Sequence, residues 1–377
     1  MGHFIPTVKS GVGRLRTGFE RVAAHRTKLP FAYGAEQNGT IIDMNDDTKL
    51  LKIKYDDGTI LTLAYGQDYS SNGGGGFFVT QNTVTNNLSI GKKFKRGDVL
   101  IYNKDFFTPD PYSTQVDLNL GYFTNVALLE TGITMEDSSF ISRETADALL
   151  TEPVQVRSIT IKKSTIVHQI ALIGTELKSI NPLIVFDDSE IPDEFDDPSI
   201  IDQVTKLNRS TPSAKYNGRI VRIEFFHRCP IEQLSQSLQK IAKYVYKQDN
   251  LKSEFAKDSH NSDDFMESGP MTGDRIGSET LDEDTVIVKF YIQQRQETEA
   301  GNKIVFGGSL KSVLAEVIPE NMPTGAKLGD SDVVVGAVLG GSSVLNRIVL
   351  SAHINGSVNR ILEKAEKDLL DIFFSDK

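Results

Sequence analysis

Between Gln37 and about Ile170 short runs of alternating apolar and polar residues are separated by turn residues, and that pattern confines this part of the chain to β structure. Leu51, Ile53 and Tyr55 alternate with Lys52 and Lys54, Asp57-Gly58 follows, and a second run goes from Ile60 to Tyr65. Asp-Gly is what a tight hairpin demands, because both residues tolerate positive φ. The region therefore reads as barrel or sandwich material. Further on, Asn217-Gly218 starts a strand over Arg219 to Phe226 with Val221, Ile223 and Phe225 on one face. Beyond Pro230, the residues Ile231, Leu234, Leu238, Ile241 and Val245 recur at helical spacing. The acidic run Asp187 to Asp197 and the polar stretch His260 to Asp284 read as a solvated and a mobile loop, respectively. Strand character returns at Val286 to Ile292, and Asn359 to Phe374 sets Ile361, Leu362, Ala365, Leu369 and Ile372 on one helical stripe.

A chain of 377 residues is too long for one simple core and suggests two or three structural units. Its 51 acidic residues outnumber 41 basic ones, giving a net charge of −10, which argues against a free-standing, sequence-blind nucleic-acid binder. A subunit with a local basic surface remains compatible with that balance. The single cysteine, Cys229, permits no internal disulfide, zinc cage or Cys-x-x-Cys pair, and its apolar flank marks it as a packed thiol. That cysteine usage leads to the expectation of a reducing, cytosolic setting; the opening residues lack the apolar core of a signal peptide, and no run of about 18 apolar residues offers a membrane span.

The common catalytic constellations are absent. The six histidines never fall at His-Glu-x-x-His spacing, no Gly-x-Ser-x-Gly elbow joins a strand to a helix, and Gly73 to Gly76 lacks the Lys-Ser/Thr of a P-loop and reads as a flexible loop. Two candidate sites remain. Glu136 and Asp137 follow the apolar strand Asn125 to Leu129 and the turn at Gly132, where they either form a solvated turn leading into a helix over Arg143 to Leu150 or reach a divalent metal. Lys303 closes the strand that begins near Val286, and Lys311 lies eight positions later beyond a Gly-Gly turn that folds the chain back, so two ammonium groups can converge on one phosphate.

The order of the motifs adds a family resemblance. Gly301 to Gly356 resembles the segment GDKxxxRHGxKGxxSxIxPxEDMP, then DIxxNPxGxPSRMxxGQ, of multisubunit DNA-directed RNA polymerase β subunits, with both lysines at the family's spacing. LNLGYFTNVALLETGITMEDSSFIS is similar to LGxNxxVAFMxWxGYNFEDSxxxS, and Arg96 to Leu100 to (K/R)GDVL. Arg16 to Glu20 resembles GTGME, and Gln81-Asn82-Thr83 the end of SNQNT. The five blocks stand in family order. The start and stop of the resemblance match the C-terminal half of a split β subunit, as in giant bacteriophages.

The resemblance implies an α+β, mostly β fold: a double-psi β-barrel with an inserted flap-like domain. Residues 1–36 would lead into the barrel, 37–170 form its first part, 171–290 the flap, and 291–377 its second part with the C-terminal helix. It also implies DNA-dependent RNA synthesis in complex with an N-terminal β half on another chain and β′-type subunits, acting on template DNA, nascent RNA and NTPs, with a transcription factor at the flap and no membrane. Mg²⁺ would be held mainly by the β′-type partner, with Glu136 and Asp137 near the second ion through water, and Lys303 and Lys311 facing the RNA 3′ end and reacting phosphates. Gln81 and Arg347 would join the lysines in nucleic-acid or nucleotide binding. The expected location is the cytoplasm of an infected bacterial host, a phage compartment, or the virion. Gly307 to Leu310 replaces the family's Arg-His-Gly-Asn, and Val344 stands at the family's SRM arginine, which Arg347 replaces only with a local backbone shift. Those losses favour one rival, a non-catalytic structural polymerase-like subunit or virion protein; the other alternative is a nucleic-acid-binding barrel without chemistry.

Overall fold

The computed structural model describes residues 7–9, 18–29, 31–68, 81–110, 113–119, 121–187, 209–265, 268–277, 279–306, 310–319, 335–346 and 350–375. The fold is mixed α+β, strands predominate, and the sheets curl into half-barrels. The chain forms two compact units, Met1–Gly34 with Gly97–Thr151 and Gln296–Lys377, and Ala35–Arg96 with Glu152–Arg295. Gly73 to Gly76, most of the acidic run after Asp187, the Gly307-Gly308 turn and Arg347 lie outside the described residues.

The first unit is built on a seven-stranded mixed sheet in the order Tyr122–Phe123, Thr7–Lys9, Lys303–Phe306, Leu310–Ile318, Ser138–Ser142, Val335–Leu339, Asn125–Leu128. Lys303–Phe306 and Leu310–Ile318 pair antiparallel, as expected for a chain folded back on itself, whereas Leu310–Ile318 and Ser138–Ser142 run parallel. One face of these strands is apolar: Ile304, Phe306, Leu310, Leu314, Ile141 and Leu339 pack with Val344 into a single core cluster. A short helix, Arg143–Ala148, starts where Ser142 accepts a hydrogen bond from the Thr145 N–H, which supplies a partner for a donor the helix leaves open.

Lys303 does not close the strand that begins near Val286, as the sequence suggested. That strand, Thr285–Gln293, ends ten residues earlier, and Lys303 opens a new one. The intervening chain is tied down locally: Gln296 exchanges backbone hydrogen bonds with Thr151, the Thr298 hydroxyl donates to the Leu149 carbonyl, and the Asn302 side chain accepts from the Glu299 N–H.

The second unit holds two main sheets. In the sheet of Ile60–Ala64, Leu50–Tyr55, Gly39–Asn45 and Lys93–Phe94, the alternation is as expected: Leu51, Ile53 and Tyr55 are buried while Lys54 is exposed. Gly58 adopts φ +92°, the left-handed conformation that makes Asp57-Gly58 a hairpin turn. The larger sheet pairs Val154–Lys162 with Thr285–Gln293 along their full lengths, and Thr285–Gln293 with Gly218–His227. That ladder places residues 152–170 with the segment expected as an insertion from 171. Helix Gln236–Ala256 covers the sheet, setting Leu238, Ile241, Ala242 and Val245 against Ile223, Phe225, Val288 and Phe290.

Four local expectations are corrected here. Val221 does not share a face with Ile223 and Phe225, because a bulge between Ile220 and Arg222 turns it toward Val154, Val156 and Tyr291. Ile231 falls in a short 3₁₀ turn before the helix, which begins after Ser235 caps the Leu238 N–H. The stretch His260 to Asp284 is anchored rather than a mobile loop: Asn261 bonds both backbone groups of Thr62, and Ile276 and Leu281 are buried against Phe226 and Ile287. The last helix spans Leu350–Ser375, nine residues earlier at its start than the apolar stripe alone indicated.

Candidate active site

The pairing register decides how the two lysines stand. Lys303 lies opposite Val313 and Val305 opposite Lys311, so Lys303 and Lys311 are diagonal neighbours on one face of the hairpin. Diagonal partners lie about 7–8 Å apart, with their Cβ atoms somewhat closer, well within the reach of two flexible four-carbon side chains. Both lysines are exposed, while Ile304, Leu310, Ser312 and Leu314 point to the buried side. The apolar residues of the hairpin hold the strands against the core, and the lysines project from the opposite face.

The acidic pair is on the adjoining strand. Ser138 is the partner of Val313 on the other side, so Lys303, Val313 and Ser138 form one row across three strands. The Val313 N–H donates to the Asp137 carbonyl at 2.9 Å, and the Ser312 hydroxyl donates to the same oxygen at 2.8 Å. Glu136 and Asp137 are exposed at the start of that strand, beside the segment that carries Lys311. Glu136 has φ +53°, a left-handed conformation that costs a non-glycine residue energy. Its neighbours hold the turn in that shape. Ser138 Oγ is 2.6 Å from the carbonyl oxygens of both Ile133 and Met135, and buried Thr134 donates from its hydroxyl to the Leu129 carbonyl at 2.6 Å.

Two further residues of this turn carried no signal in the sequence. Gly340 packs so closely that a Cβ there would overlap the Thr134 carbonyl oxygen, so only glycine lets the Val335–Leu339 strand end beside the acidic turn. Glu130 reaches the start of the short helix Gly341–Asn346, accepting from the Ser342 N–H at 3.0 Å and from the Ser342 hydroxyl at 2.7 Å. Only the Gly340-Gly341-Ser342 run hints at that contact, and nothing in the sequence points to Glu130 as its partner.

The Ser342 backbone bond, followed by the Ser342 hydroxyl, holds the Glu130 carboxyl below the usual glutamate range. A depressed folded value means the anchor is fully present above the unfolded pKa of about 4.3 and is lost as pH falls through the lower folded value. The Ser342 amide resonance should therefore titrate with a midpoint below that of an ordinary glutamate, and Glu130→Gln should abolish the titration. An ordinary midpoint in the wild type would count against this anchor.

Gln81 opens the strand Gln81–Thr85, opposite Asp68, and belongs to the second unit rather than the one carrying the lysines. Arg347 lies outside the described residues. Cys229 is buried in the second unit's core, as expected of a packed thiol.

The donor set sets a limit on metal chemistry. Among the described residues no group of three or more His, Cys, Asp or Glu side chains stands ready to hold a metal ion. Glu136 and Asp137 fit a supplementary role toward a hydrated cation whose inner ligands come from elsewhere, because two exposed carboxylates beside two lysines do not make a closed metal cage. Among the described residues no helix is long and apolar enough to cross a membrane. In comparison with known proteins, no family model matches the chain and no curated sequence matches it, so the site's geometry and the order of the motifs carry the functional reading.

Proposed function

We propose that this chain is the C-terminal part of a split β subunit of a multisubunit, phage-type DNA-dependent RNA polymerase, and that the first unit is its double-psi-barrel half of the active site. The observation that carries the reading is the row Lys303–Val313–Ser138: motifs 165 residues apart in sequence, each resembling a polymerase β motif, are adjacent in one sheet. The second unit, with the long pair Val154–Lys162 and Thr285–Gln293, takes the flap-like role.

In the reaction the RNA 3′ oxygen bonds to the α-phosphorus of the incoming NTP, and the bond from that phosphorus to the bridging oxygen breaks to release pyrophosphate. Mg²⁺, supplied mainly by a β′-type partner, would lower the charge on both oxygens when bound. Lys303 and Lys311 present fixed positive charge from one face to the reacting phosphates and the RNA 3′ end. Glu136 and Asp137 would hold hydrated Mg²⁺ through its water from the neighbouring turn. The surroundings of the site support an assembly: Leu128, Leu129, Ile133, Met135 and Val313 are exposed around it, an apolar rim of the kind that partner chains cover.

The Mg²⁺ dependence of elongation tests the acidic pair. Replacing Glu136 by Gln and Asp137 by Asn in the assembled enzyme should raise the Mg²⁺ concentration for half-maximal elongation several-fold, with partial recovery of rate at high Mg²⁺. A preassembled RNA–DNA scaffold isolates this step from initiation. An unchanged midpoint together with an unchanged rate would remove both carboxylates from the site.

A further inference from the structure

The Ser312 side chain occupies the point where the cationic and acidic halves of the site meet. Strand alternation turns it inward, between outward-facing Lys311 and exposed Val313, and it is 2% exposed. Its Oγ donates to the Asp137 carbonyl at 2.8 Å and lies 2.7 Å from Ser139 Oγ, itself fully buried. Apart from Ser139, its buried neighbours on this face, Ile304, Leu310 and Leu314, are apolar, so the hydroxyl serves the Asp137 carbonyl and Ser139 rather than the packing. The bond it makes ends on the carbonyl directly after Glu136, whose left-handed backbone requires external support.

We infer that Ser312 is a positioning residue that latches the Glu136–Asp137 turn to the lysine hairpin, so that the carboxylates and Lys311 keep one fixed relation. Without the latch the Asp137 carbonyl keeps the Val313 N–H but loses its hydroxyl donor, and the strained turn has less to hold it. The carboxylates then sample other directions, while the lysines, fixed by their own ladder, stay in place. The functional half of this inference rests on the polymerase reading; the structural half does not.

The test is Ser312→Ala, with Ser139→Ala as its control, because the latter leaves the Ser312–Asp137 bond intact. Both changes remove one oxygen atom and add no volume. Amide exchange of the full chain should be about tenfold faster in Ser312→Ala for the fragment 133–139, the upper end of what losing the bond to Asp137 gives, and near wild type at Lys303–Phe306. It should stay near wild type in Ser139→Ala and at Val335–Leu339 in both. In the assembled enzyme Ser312→Ala should raise the Mg²⁺ midpoint several-fold and leave the rate at saturating Mg²⁺ within about twofold of wild type. Unchanged exchange, equal effects of the two variants, or acceleration spread evenly over the sheet would overturn the latch. Local acceleration with a wild-type Mg²⁺ midpoint would overturn its role in the site. Failure of the wild-type assembly to make RNA would instead sink the polymerase reading, with exchange alone then deciding the latch.

Discussion

Lys303→Ala and Lys311→Ala, introduced separately into the assembled enzyme, are each expected to slow nucleotide addition by about 10²-fold or more while the complex stays intact. The expectation follows from where the register puts them. Both lysines project from one face of a hairpin whose other face is locked into the core, so neither contributes a buried contact whose loss would loosen the sheet. Truncation therefore removes charge and little else, and the loss should appear in the rate at saturating NTP rather than in assembly. The double variant should lose less than the product of the single losses, because the two charges act on one developing anion. Raising Mg²⁺ should not restore the rate, in contrast to the Glu136 and Asp137 variants. Near-normal elongation by both single variants would favour a structural subunit.

Phe290→Ala is expected to destabilise the second unit by about 3–5 kcal/mol, lowering its unfolding midpoint by roughly 10 °C. Phe290 is fully buried in the middle strand of the larger sheet, opposite Arg157 on one side and Ile223 on the other, and packs in the cluster that the long helix covers. Its removal leaves a cavity that neither ladder can close, since both run the length of the strand. Thermal unfolding followed by near-UV circular dichroism measures this, and a loss under about 1 kcal/mol would mean that the core is more plastic than its packing indicates.

Much of the local structure was legible because it obeys one period at a time. The hairpin around Asp57-Gly58 and the helix carrying Leu238, Ile241 and Val245 are fixed by alternation, by helical spacing and by turn residues. Val221 was misplaced because a bulge adds one residue to a strand without changing its composition, and every later residue then changes face. The stretch after His260 looks like a loop by composition, yet its order comes from Asn261 bonding Thr62, 199 residues away, which no local pattern contains. The site divides in the same way. Lys303, Lys311, Glu136 and Asp137 could be named from motif spacing, but their adjacency depends on a parallel pair between Leu310–Ile318 and Ser138–Ser142. Glu130, Ser312 and Gly340 matter only through that tertiary arrangement, so they were silent in the sequence.

The central claim, that this chain supplies part of a polymerase active site completed by other chains, is tested most directly by purifying the complex that forms on the chain and asking whether it extends RNA. Affinity-purified material is placed on an RNA–DNA scaffold with NTPs and Mg²⁺, and its composition is read by mass spectrometry from the same fraction. The expected result is template-directed extension by a fraction containing β′-like and N-terminal β-like chains, with no extension by the highly purified single chain, because the proposal puts the main Mg²⁺ ligands on the β′-type partner. Extension by the single chain, or a stable complex of virion structural proteins that makes no RNA, would contradict it.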